Sequence, residues 1–568
     1  MESTQPVGGA APTEHAAIAG GILSHALGSS PRTATLLAAI VLGAGLAVSF
    51  LGWLLTPSLD PREPPLLKPT IPLVGHIINL IRFQGEFHPS LRRTNPDVPL
   101  ATVPMLNGKL YTIFDPDLIQ ATLRLKAASF EPFVVGFAQK SFNLSDATFA
   151  KILSHPQLVP EFTDAIHRSF HPTALAQMNL HFLSTISARL DAVADAGKVD
   201  ATNPGRESRA ADGALEIGNL FLWCRDVMSV ASTKALYGDS DPFSKDPSLV
   251  DAIWTFEKVL PLFLLSLFPS ITMPKGYQAR ETMQQTMKAY YDAETDINDP
   301  TTSTLTFNRA STLRQYGFNG EEIAKLECIL PIAATTNAVP TFFWMLIFVL
   351  SRPSLAARLR AEVEAAASFD QAAGTVTFDI TGFDQQLPLM VSCYRETMRV
   401  VNRSVSMRRA MSDINLTAAD GRTYLLKKGV DIQMSAGVTH GERRIWGDDA
   451  GDFNPERFLA PQGDAAPAAK GVRSSEGERK KKTAYFPFGG GRHLCPGRNL
   501  AFCEILGFMA MILLRFEVEP VGMAFDDLQM DGSKLSAPSC KPVDGGEGLG
   551  ARIRVRKGWE ATTFAFKC

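Results

Sequence analysis

The sequence lacks paired cysteines. Its seven cysteines are scattered, and no two of them have the C-x-x-C spacing that zinc sites and redox motifs use. An odd, scattered set is a poor basis for a disulfide framework or a structural zinc site, so the sequence favours a reducing compartment. The cysteines are Cys224, Cys328, Cys393, Cys495, Cys503, Cys540 and Cys568.

The chain also lacks a large net charge of either sign. The chain has 56 Lys and Arg against 58 Asp and Glu, which leaves a formal charge of -2. No overall field attracts a polyanion, so we expect no nucleic-acid partner. The sequence carries neither an internal repeat nor a dinucleotide-binding fingerprint. What the 568 residues do offer is a hydrophobic content of 45%, enough for an extensive core.

One long uncharged run is present near the N-terminus. The segment TATLLAAIVLGAGLAVSFLGWLL at 33–55 has 23 residues, and a helix needs roughly 20 to cross a bilayer. A signal peptide is the alternative, but its apolar stretch is usually about 7 to 15 residues long. We therefore expect a single transmembrane helix. The predicted organisation is a tail at 1–32, an anchor at 33–55, a proline-rich spacer at 56–72 and one globular domain at 73–568.

Helical periodicity dominates the globular part. A short β section comes first, because KLYTIFDPDLIQATL at 109–123 passes from β-branched and aromatic residues into a helical pattern after Asp115 and Pro116. The apolar stretches at 180–194 and 253–268 have helical spacing. The predicted fold class is therefore mainly α with a smaller β portion.

A long buried helix is predicted at 319–351. It begins at Asn319 as N-cap with Glu322 in the N3 position, and its middle is apolar on all sides. Pro331 and Pro340 each remove a backbone donor, at a cost of about 3 kcal/mol in a helix interior. Such a break is either a packing kink or a helix that opens over a bound reactant, and the pattern alone supports both.

The most informative segment surrounds one cysteine. In AYFPFGGGRHLCPGRNLAFCEILGFMAMILL at 484–514, three glycines permit a tight backbone before Cys495, and an apolar helix follows Pro496 and Gly497. A thiolate in this place can accept backbone amide hydrogen bonds and lies at the favourable end of a helix dipole. That environment suits a metal ligand. An inert core thiol is the better interpretation of Cys224, Cys328, Cys393, Cys503 and Cys540.

The ten residues FGGGRHLCPG at 488–497 resemble the haem-ligand loop of the cytochrome P-450 monooxygenases. Phe488, Gly491, Cys495 and Gly497 match the family motif at the expected spacing. The resemblance implies a cytochrome P-450 fold after the transmembrane helix, with the domain at 73–568 as the catalytic one. It also implies that Cys495 is the axial ligand of iron-protoporphyrin IX (haem b).

The family commonly has an arginine where His493 stands, and in this chain Arg492 precedes it. The resemblance implies that one or both of these residues face a haem propionate. Many relatives also use a W-x-x-x-R helix for this purpose, but no Trp occurs between 54 and 222 in this chain. His167 and Arg168 are candidate substitutes.

A second family mark is E-T-M-R, from Glu396 to Arg399, on a helix predicted to begin at Pro388. The motif F-N-P-E-R-F at 453–458 follows at the family distance. By resemblance, Glu396, Arg399 and Arg457 form a buried ionic network with a structural role behind the haem loop.

The E-x-x-R pattern is weak by itself, because E-G-E-R at 476–479 fits it too, in what reads as a polar loop. The basic run at 479–482 overlaps this second copy. A solvated loop is the plain interpretation of the run. The alternative is a docking patch for an acidic electron donor, since the run lies shortly before the cysteine.

The predicted long helix departs from the family pattern. Most relatives have an acid and a threonine about two turns before the aromatic position that Trp344 occupies in this chain, and these two residues supply protons for oxygen activation. Thr336 and Asn337 hold those places. The sequence TTNAVPTFFW at 335–344 resembles the branch of sterol 7α- and 12α-hydroxylases and prostacyclin synthase. We predict Thr336 and Asn337 as catalytic residues, although an asparagine cannot act as an acid.

The resemblance implies a monooxygenase that inserts one oxygen atom from O2 into a lipophilic sterol, terpenoid or polyketide, as in secondary metabolism. Substrate walls are predicted at 254–269 and 404–407. Electrons would come from NADPH through a separate reductase, with cytochrome b5 as a second donor. The expected location is the endoplasmic reticulum membrane, single-pass, with a cytosolic catalytic domain. Two other functions stay open: a reductase-independent isomerase or dehydratase acting on a peroxide, and a non-catalytic haem-binding protein.

Overall fold

The computed structural model describes residues 59–69, 75–105, 108–195, 207–264, 266–370, 372–459, 476–533 and 538–568, together with the isolated positions 39, 42 and 43. The predicted anchor at 33–55 lies outside the described residues apart from those three positions. Helices predominate over strands in the described chain, which confirms the predicted fold class.

The helices are numbered in chain order. They are α1 Ile77–Phe83, α2 Phe87–Thr94, α3 Pro116–Arg124, α4 Glu131–Ser141, α5 Asp146–Ser154, α6 Leu158–Arg168, α7 Pro172–Ala194, α8 Leu220–Tyr237, α9 Pro242–Lys245, α10 Pro247–Val259, α11 Pro269–Thr272 and α12 Pro274–Asp292. They continue as α13 Thr295–Asn298, α14 Thr304–Gln315, α15 Gly320–Glu327, α16 Ile329–Thr335, α17 Ala338–Leu350, α18 Pro353–Ala366, α19 Phe383–Gln386, α20 Pro388–Val401, α21 Ala436–His440, α22 Arg443–Trp446, α23 Glu476–Ala484 and α24 Arg498–Arg515.

The strands form small sheets at the margins of the helical body. They are β1 Leu100–Met105, β2 Gly108–Ile113, β3 Ala128–Ser129, β4 Glu207–Arg209, β5 Leu215–Ile217, β6 Ser368–Asp370, β7 Thr375–Asp379, β8 Val405–Ala410, β9 Ile414–Thr417, β10 Thr423–Leu426, β11 Asp431–Ser435, β12 Phe516–Val521, β13 Met530–Asp531, β14 Lys541–Pro542, β15 Gly550–Val555 and β16 Thr563–Lys567. The largest sheet has the order β1-β2-β11-β8-β3, with β2 and β11 parallel. The other sheets are β12-β15-β5-β4, β16-β7-β6, β9-β10 and β13-β14.

Local sequence signals set several helix starts where they were predicted. The Asp115 carboxylate accepts a hydrogen bond of 3.0 Å from the Leu118 amide, and Pro116 takes the first position of α3. Asn319 and Glu322 form the predicted capping box, with reciprocal bonds of 3.0 and 2.9 Å. These caps satisfy amides that have no partner inside their own helices.

The helical run Gly320–Leu350 is interrupted twice. α15 ends at Glu327, α16 ends at Thr335, and α17 begins at Ala338. Each break lies about one turn before Pro331 or Pro340, where the missing proline N–H leaves a carbonyl without its helical partner. Within the described residues this run is the one stretch long and apolar enough to cross a membrane, but 78% of its most apolar window is buried inside the protein. It is therefore a core helix.

Aromatic packing joins this core helix to α24. The ring of Phe342 on α17 stacks on Phe508 of α24, with centroids 4.2 Å apart and planes 4° from parallel. The indole N–H of Trp344 donates to the carbonyl of Cys540 at 2.9 Å. Because α24 starts just after Cys495, this contact brings the break near Asn337 and the cysteine loop to opposite sides of one cavity.

Two local predictions are wrong. The apolar stretch at 253–268 is not one helix, because α10 ends at Val259 and a 3-10 turn follows in which Pro261 has no amide to donate. The supposed polar loop at 476–479 is the start of α23. This helix has no apolar stripe, but a pair of opposite charges one turn apart supports it.

Candidate functional site

A glycine-rich turn brings Cys495 to the wall of the main cavity. The backbone N–H of Cys495 donates to the carbonyl of Phe488 at 3.1 Å and so closes the loop. Gly491 has a φ of +64°, and a Cβ at this position would lie 1.8 Å from the carbonyl oxygen of Leu123 in α3. No side chain fits there, so only glycine permits this close approach of the loop to α3.

The sulfur of Cys495 lies at the N-terminus of α24. The backbone N–H groups of Gly497 and Arg498 donate to it, as the sequence predicted for a bound thiolate. Burial raises the pKa of the Cys495 thiol, whereas the two amides and the Arg498 guanidinium lower it. The helix dipole acts in the same direction as the amides. Burial is the larger effect and the pKa is raised overall, so the amides and the dipole favour negative sulfur but a bound cation is needed to hold the thiolate at neutral pH.

The cavity beside Cys495 has a volume of about 490 Å³, within the range of about 300 to 1,000 Å³ that is common for small-molecule sites. Its walls come from the broken helix, the segment at 404–408, the cysteine loop and the first turns of α24. The segment at 404–407, predicted as a substrate wall, lines this cavity. The predicted wall at 254–269 is wrong, because its described residues do not face the cavity and α10 buries its apolar side chains in the core instead.

Arg408 is a site residue that sequence reasoning missed. It is 3% exposed and lines the cavity. Its guanidinium donates to the carbonyls of Met407 at 2.7 Å and Gly490 at 3.2 Å, but its Nε has no hydrogen-bond partner among the described residues. Burial lowers the pKa of Arg408 to about 10, so it stays charged at neutral pH. A buried cation with no carboxylate beside it in the described chain fits an anionic group in the cavity.

Of the two residues predicted to face a propionate, His493 lines the cavity and Arg492 does not. Burial, helped by the charges of Arg408 and Arg492, lowers the pKa of His493 to about 4, so the ring is neutral at pH 7. Its Nε2 accepts a long hydrogen bond of 3.5 Å from the Phe130 amide. Arg492 is exposed at the protein surface.

His167 and Arg168, the candidate substitutes for a W-x-x-x-R helix, are both exposed at the end of α6. The same helix end reaches the cavity through apolar neighbours instead, namely Ile166 and Phe170. The charge of His167 helps to lower the pKa of His493. Arg408, not His167 or Arg168, is the buried cation at this cavity in the described chain.

Asn337 lies at the break between α16 and α17 and lines the cavity. Its Oδ1 is buried and has no partner in the described part of the chain. Its backbone carbonyl accepts from the hydroxyl of Thr341 at 2.8 Å. Thr336 is buried outside the cavity lining, and its hydroxyl donates to the carbonyl of Ile332 at 2.9 Å. Of the predicted pair, only Asn337 reaches the cavity.

The structure brings Glu396, Arg399 and Arg457 together. Arg399 donates two hydrogen bonds of 2.8 Å to the Glu396 carboxylate, and Arg457 Nε donates to the same carboxylate at 2.9 Å. All three side chains are buried. Arg457 also pairs with Asp449 at 2.9 Å, a partner that the sequence motifs did not indicate.

His440 links this network to the segment before the cysteine loop. Arg399 Nη1 donates to the His440 carbonyl at 2.7 Å, and the His440 ring accepts a hydrogen bond of 3.2 Å from the Phe486 amide. Burial lowers the pKa of His440 to about 3, so the ring remains a neutral acceptor. The ring also stacks on Tyr485 with centroids 5.4 Å apart. The ionic network therefore fixes the approach to the cysteine loop.

The donor set fits a porphyrin-bound iron better than a bare ion. Within the described residues no group of three or more His, Cys, Asp or Glu side chains could hold a metal ion. A single cysteine ligand suits a metal whose other ligands belong to a cofactor. Arg408 and His493 offer polar contacts for carboxylates of such a group, and a Cβ at Gly497 would contact the sulfur at 4.0 Å.

Comparison with known proteins points to one family. The family model for cytochrome P-450 matches residues 64–539. A cytochrome P-450 monooxygenase of Gibberella zeae is 35% identical over 532 residues, which cover 93% of this chain and 96% of the relative. A 7-alpha-hydroxycholest-4-en-3-one 12-alpha-hydroxylase of Oryctolagus cuniculus is 25% identical and covers 85% of this chain and 92% of the relative.

A solved structure shows the same fold. Retinoic acid bound cyanobacterial CYP120A1 superposes with a TM-score of 0.61 at 14% identity, over 88% of this chain and 100% of that chain. Fungal cytochrome P-450 enzymes and sterol hydroxylases both occur among the relatives, in agreement with the branch that the sequence resembles. The chain therefore belongs to the cytochrome P-450 family and is an oxidoreductase of the monooxygenase type.

Proposed function

We propose that this chain is a haem-thiolate monooxygenase that inserts one oxygen atom from O2 into a lipophilic small molecule. The observation that carries the proposal is the Cys495 sulfur, which faces the cavity and accepts two backbone hydrogen bonds at the start of α24. Haem b, when bound, supplies the oxygen-activating chemistry, with the thiolate donating electron density to the iron. The second oxygen atom leaves as water, and NADPH provides the two electrons.

The residues that line the cavity have separate roles in this proposal. Cys495 would hold the iron, while Arg408 and His493 face the cavity and would bind the propionates. Asn337 presents its unpartnered Oδ1 and its amide to the same space. An amide can orient water or a reacting oxygen by hydrogen bonds but cannot release a proton. The contribution of Asn337 is therefore positional.

The substrate class follows from the cavity wall and one relative. Apolar side chains predominate in the wall, which suits a sterol, terpenoid or polyketide. The rabbit 12-alpha-hydroxylase acts, by its name, on a sterol, and it aligns with most of this chain. Apolar residues from different parts of the wall are Phe170, Leu236, Leu305, Leu330, Met407 and Ile505.

Electrons must come from another protein, which we propose to be an NADPH-dependent reductase, with cytochrome b5 as an additional donor. A donor with an acidic docking surface is drawn to a basic face, and the expected contact lies beside the cysteine loop. Helix α3 contacts two basic elements, the helix α23 and the cysteine loop. Gln120 of α3 donates a 3.1 Å hydrogen bond to the Thr483 carbonyl of α23. Gly491 of the cysteine loop packs against the other side of the contact, at the Leu123 carbonyl of α3. Lys482 on α23 and Arg492 on the loop both carry charge at this face.

We further propose that the protein is held on the cytosolic side of the endoplasmic reticulum membrane. The anchor at 33–55 lies outside the described residues, but the folded domain has its own apolar surface near α11. Leu267 is 87% exposed and Phe268 64% exposed. Exposed apolar groups in one short segment are typical of a membrane or partner contact. Other exposed apolar residues of this segment are Leu262 and Ile271.

The anchor is tested by truncation. Deleting residues 1–56 should move the protein toward the soluble fraction while haem binding is retained. Adding Leu267→Asp and Phe268→Asp should remove the remaining membrane association, whereas Phe369→Asp, at an exposed residue on β6, should not. Full-length protein that stays soluble after ordinary lysis would contradict the anchor.

The haem-thiolate assignment is tested by spectroscopy and product analysis. Reduced protein under carbon monoxide should show the long-wavelength absorption band of thiolate ligation, and Cys495→Ala should abolish it. The buried Cys503→Ala variant is the matched control and should keep the band. Product should form only with reductase, NADPH and O2, and labelled O2 should place one oxygen atom in it. An unchanged spectrum in Cys495→Ala would rule out the assignment.

A second function is favoured by one observation only. By the family resemblance, Asn337 stands where most cytochrome P-450 enzymes have a proton-delivering residue, and a reaction that rearranges a peroxide needs neither electrons nor external protons. An isomerase or dehydratase of this kind would turn over a lipid peroxide without reductase and without incorporating labelled O2. Oxygen incorporation that depends on NADPH decides for the monooxygenase.

A further inference from the structure

Two hydroxyl groups meet on the cavity wall that lies opposite Cys495. Thr341 belongs to α17, and Ser539 belongs to the short segment before β14. Oγ1 of Thr341 and Oγ of Ser539 lie 3.2 Å apart, and each residue is 1% exposed. Both residues line the cavity, whose wall is mainly apolar. The pair is therefore a localised polar feature in a site for lipophilic molecules.

Direct contacts place the pair on the side of Asn337 rather than on that of the thiolate. Thr341 follows Asn337 by one turn, and its hydroxyl donates to the Asn337 carbonyl at 2.8 Å. A haem held by the Cys495 sulfur would approach from the opposite wall, so it would not separate the pair from Asn337. A substrate between the haem and α17 would have these hydroxyls in its wall.

Ser539 is held in place by the backbone around it. It forms an antiparallel bridge with Asn402 at the end of α20, and the amide of Cys540 donates to the Val401 carbonyl at 2.9 Å. The Cys540 carbonyl accepts the indole N–H of Trp344 on α17, also at 2.9 Å. The segment is thus fixed between α17 and α20, so the Ser539 hydroxyl loses little freedom when it binds a ligand.

The hydrogen-bond pattern decides which role the pair can have. A hydroxyl carries one proton and two acceptor lone pairs. Thr341 uses its proton on the Asn337 carbonyl, so Ser539 is the donor in the contact with Thr341. The Ser539 side chain makes no other hydrogen bond within the described residues. Its Oγ can therefore accept a hydrogen bond from a ligand but has no proton left to donate.

We propose that Ser539 binds a hydroxyl group of the substrate, so that the protein selects lipophilic alcohols over the corresponding ketones and hydrocarbons. The inference rests on the proposed monooxygenase function and adds a substrate class to it. A ketone oxygen is itself an acceptor and would face the lone pairs of Ser539, whereas a hydrocarbon would leave them without a partner. Thr341 is a positioning residue, because it directs the Ser539 proton away from the ligand.

Ser404 is a second cavity hydroxyl that can only accept from a ligand. Its proton goes to Oδ1 of Asn402 at 2.7 Å, and the Asn402 amide donates to the Pro487 carbonyl at 3.1 Å, ahead of the cysteine loop. These hydrogen bonds tie Ser404 to the cysteine loop rather than to α17. It is therefore the matched comparison for Ser539.

Ligand binding to the purified full-length holoprotein tests the selection without turnover, with the haem absorption spectrum as the signal. The probes are two matched sets: cholestanol, cholestanone and cholestane, and menthol, menthone and menthane. In at least one set the alcohol should bind about 3- to 10-fold more tightly than the ketone or the hydrocarbon, which is the usual effect of one hydrogen bond. Ser539→Ala should abolish this preference, and Ser404→Ala should keep it.

Thr341→Val tests the direction of the Ser539 proton. Valine has nearly the shape of threonine but cannot accept a hydrogen bond, so Ser539 becomes free to donate to the ligand. The ketone should then gain affinity relative to the alcohol. A ketone that gains nothing would contradict the positioning role of Thr341.

Haem content and the carbon monoxide band should stay at wild-type values in all three variants, which separates this proposal from the haem-thiolate assignment. Wild-type protein that binds neither alcohol, or binds alcohol and ketone equally in both sets, would overturn the proposal and leave the proposed function intact. The same holds if the preference survives in Ser539→Ala or is lost in Ser404→Ala. A wild-type holoprotein without the carbon monoxide band would instead contradict the proposed function.

Discussion

The carboxylate of Glu396 receives both Nε and Nη2 of Arg399 at 2.8 Å, one turn apart on α20. A third bond of 2.9 Å from Arg457 Nε brings in a residue 61 positions away. The same Arg399 reaches the His440 carbonyl, and His440 binds the Phe486 amide ahead of the cysteine loop. An ion pair that is local in sequence thereby fixes the distant segment that carries the proposed haem ligand.

The first prediction concerns this network. Glu396→Gln should destabilise the protein by roughly 3 to 5 kcal/mol, because two guanidinium groups then remain buried without their shared charged partner. Denaturant unfolding measures the loss, and haem incorporation during expression should fall with it. Arg395→Ala on the same helix is the control. Its ion pair with Asp384 is exposed, so its removal should cost less than about 1 kcal/mol.

The second prediction concerns the adjacent arginines of β8. Arg408→Ala should speed haem loss roughly 10- to 100-fold, since charge-assisted hydrogen bonds contribute about 1.5 to 3 kcal/mol. The haem-free variant should be no less stable than haem-free wild type, because the mutation removes a buried charge that no described carboxylate balances. Arg409→Ala is the control: this neighbour points to the other face of the strand and pairs with Asp431. If haem loss is the same in Arg408→Ala and wild type, Arg408 does not bind a propionate.

The third prediction compares two glycines of the cysteine loop. Both Gly489 and Gly491 have positive φ, so alanine costs about 1 to 2 kcal/mol of backbone energy at either position. At 491, the added Cβ would also meet the Leu123 carbonyl at 1.8 Å, whereas at 489 the nearest atom is Ser406 Oγ at 3.5 Å. Gly491→Ala should therefore lose most of the carbon monoxide band, and Gly489→Ala should keep it. Equal spectra would show that the loop can move away from α3.

The fourth prediction concerns Asn337. Asn337→Ala should lower coupled product formation about tenfold and divert electrons to hydrogen peroxide, since the side chain that orders water or oxygen is lost. Peroxide release per NADPH consumed is the measurement. Thr336→Val should have the smaller effect, because the Thr336 hydroxyl is already bonded to the Ile332 carbonyl. A larger effect in Thr336→Val than in Asn337→Ala would reverse the assignment.

Local sequence patterns predicted the elements that depend on neighbours in the chain. The capping box at Asn319, the start of α3 at Pro116 and the amide environment of Cys495 follow from residues a few positions apart. The same reasoning failed at 476–479, where the polar composition predicted a loop but the structure has a helix. Charge pairs and a contact with α3 stabilise this helix. The residue composition of a segment does not reveal the contacts that it makes with a part of the chain far away in sequence.

The sequence by itself determined the family and the three partners of the buried ionic network, because these are encoded in short motifs with fixed spacing, and it determined the mainly helical fold class through its periodicity. The same motifs predict Cys495 as the haem ligand. The tertiary structure decided which polar residues reach the cavity. Arg408 and Arg409 are adjacent and chemically equal in the sequence, yet strand alternation buries one and leaves the other partly exposed. In the sequence, Glu504 is one charged residue in a largely apolar helix. In the folded protein α8, α17 and α20 surround it and exclude the water that would stabilise its charged form.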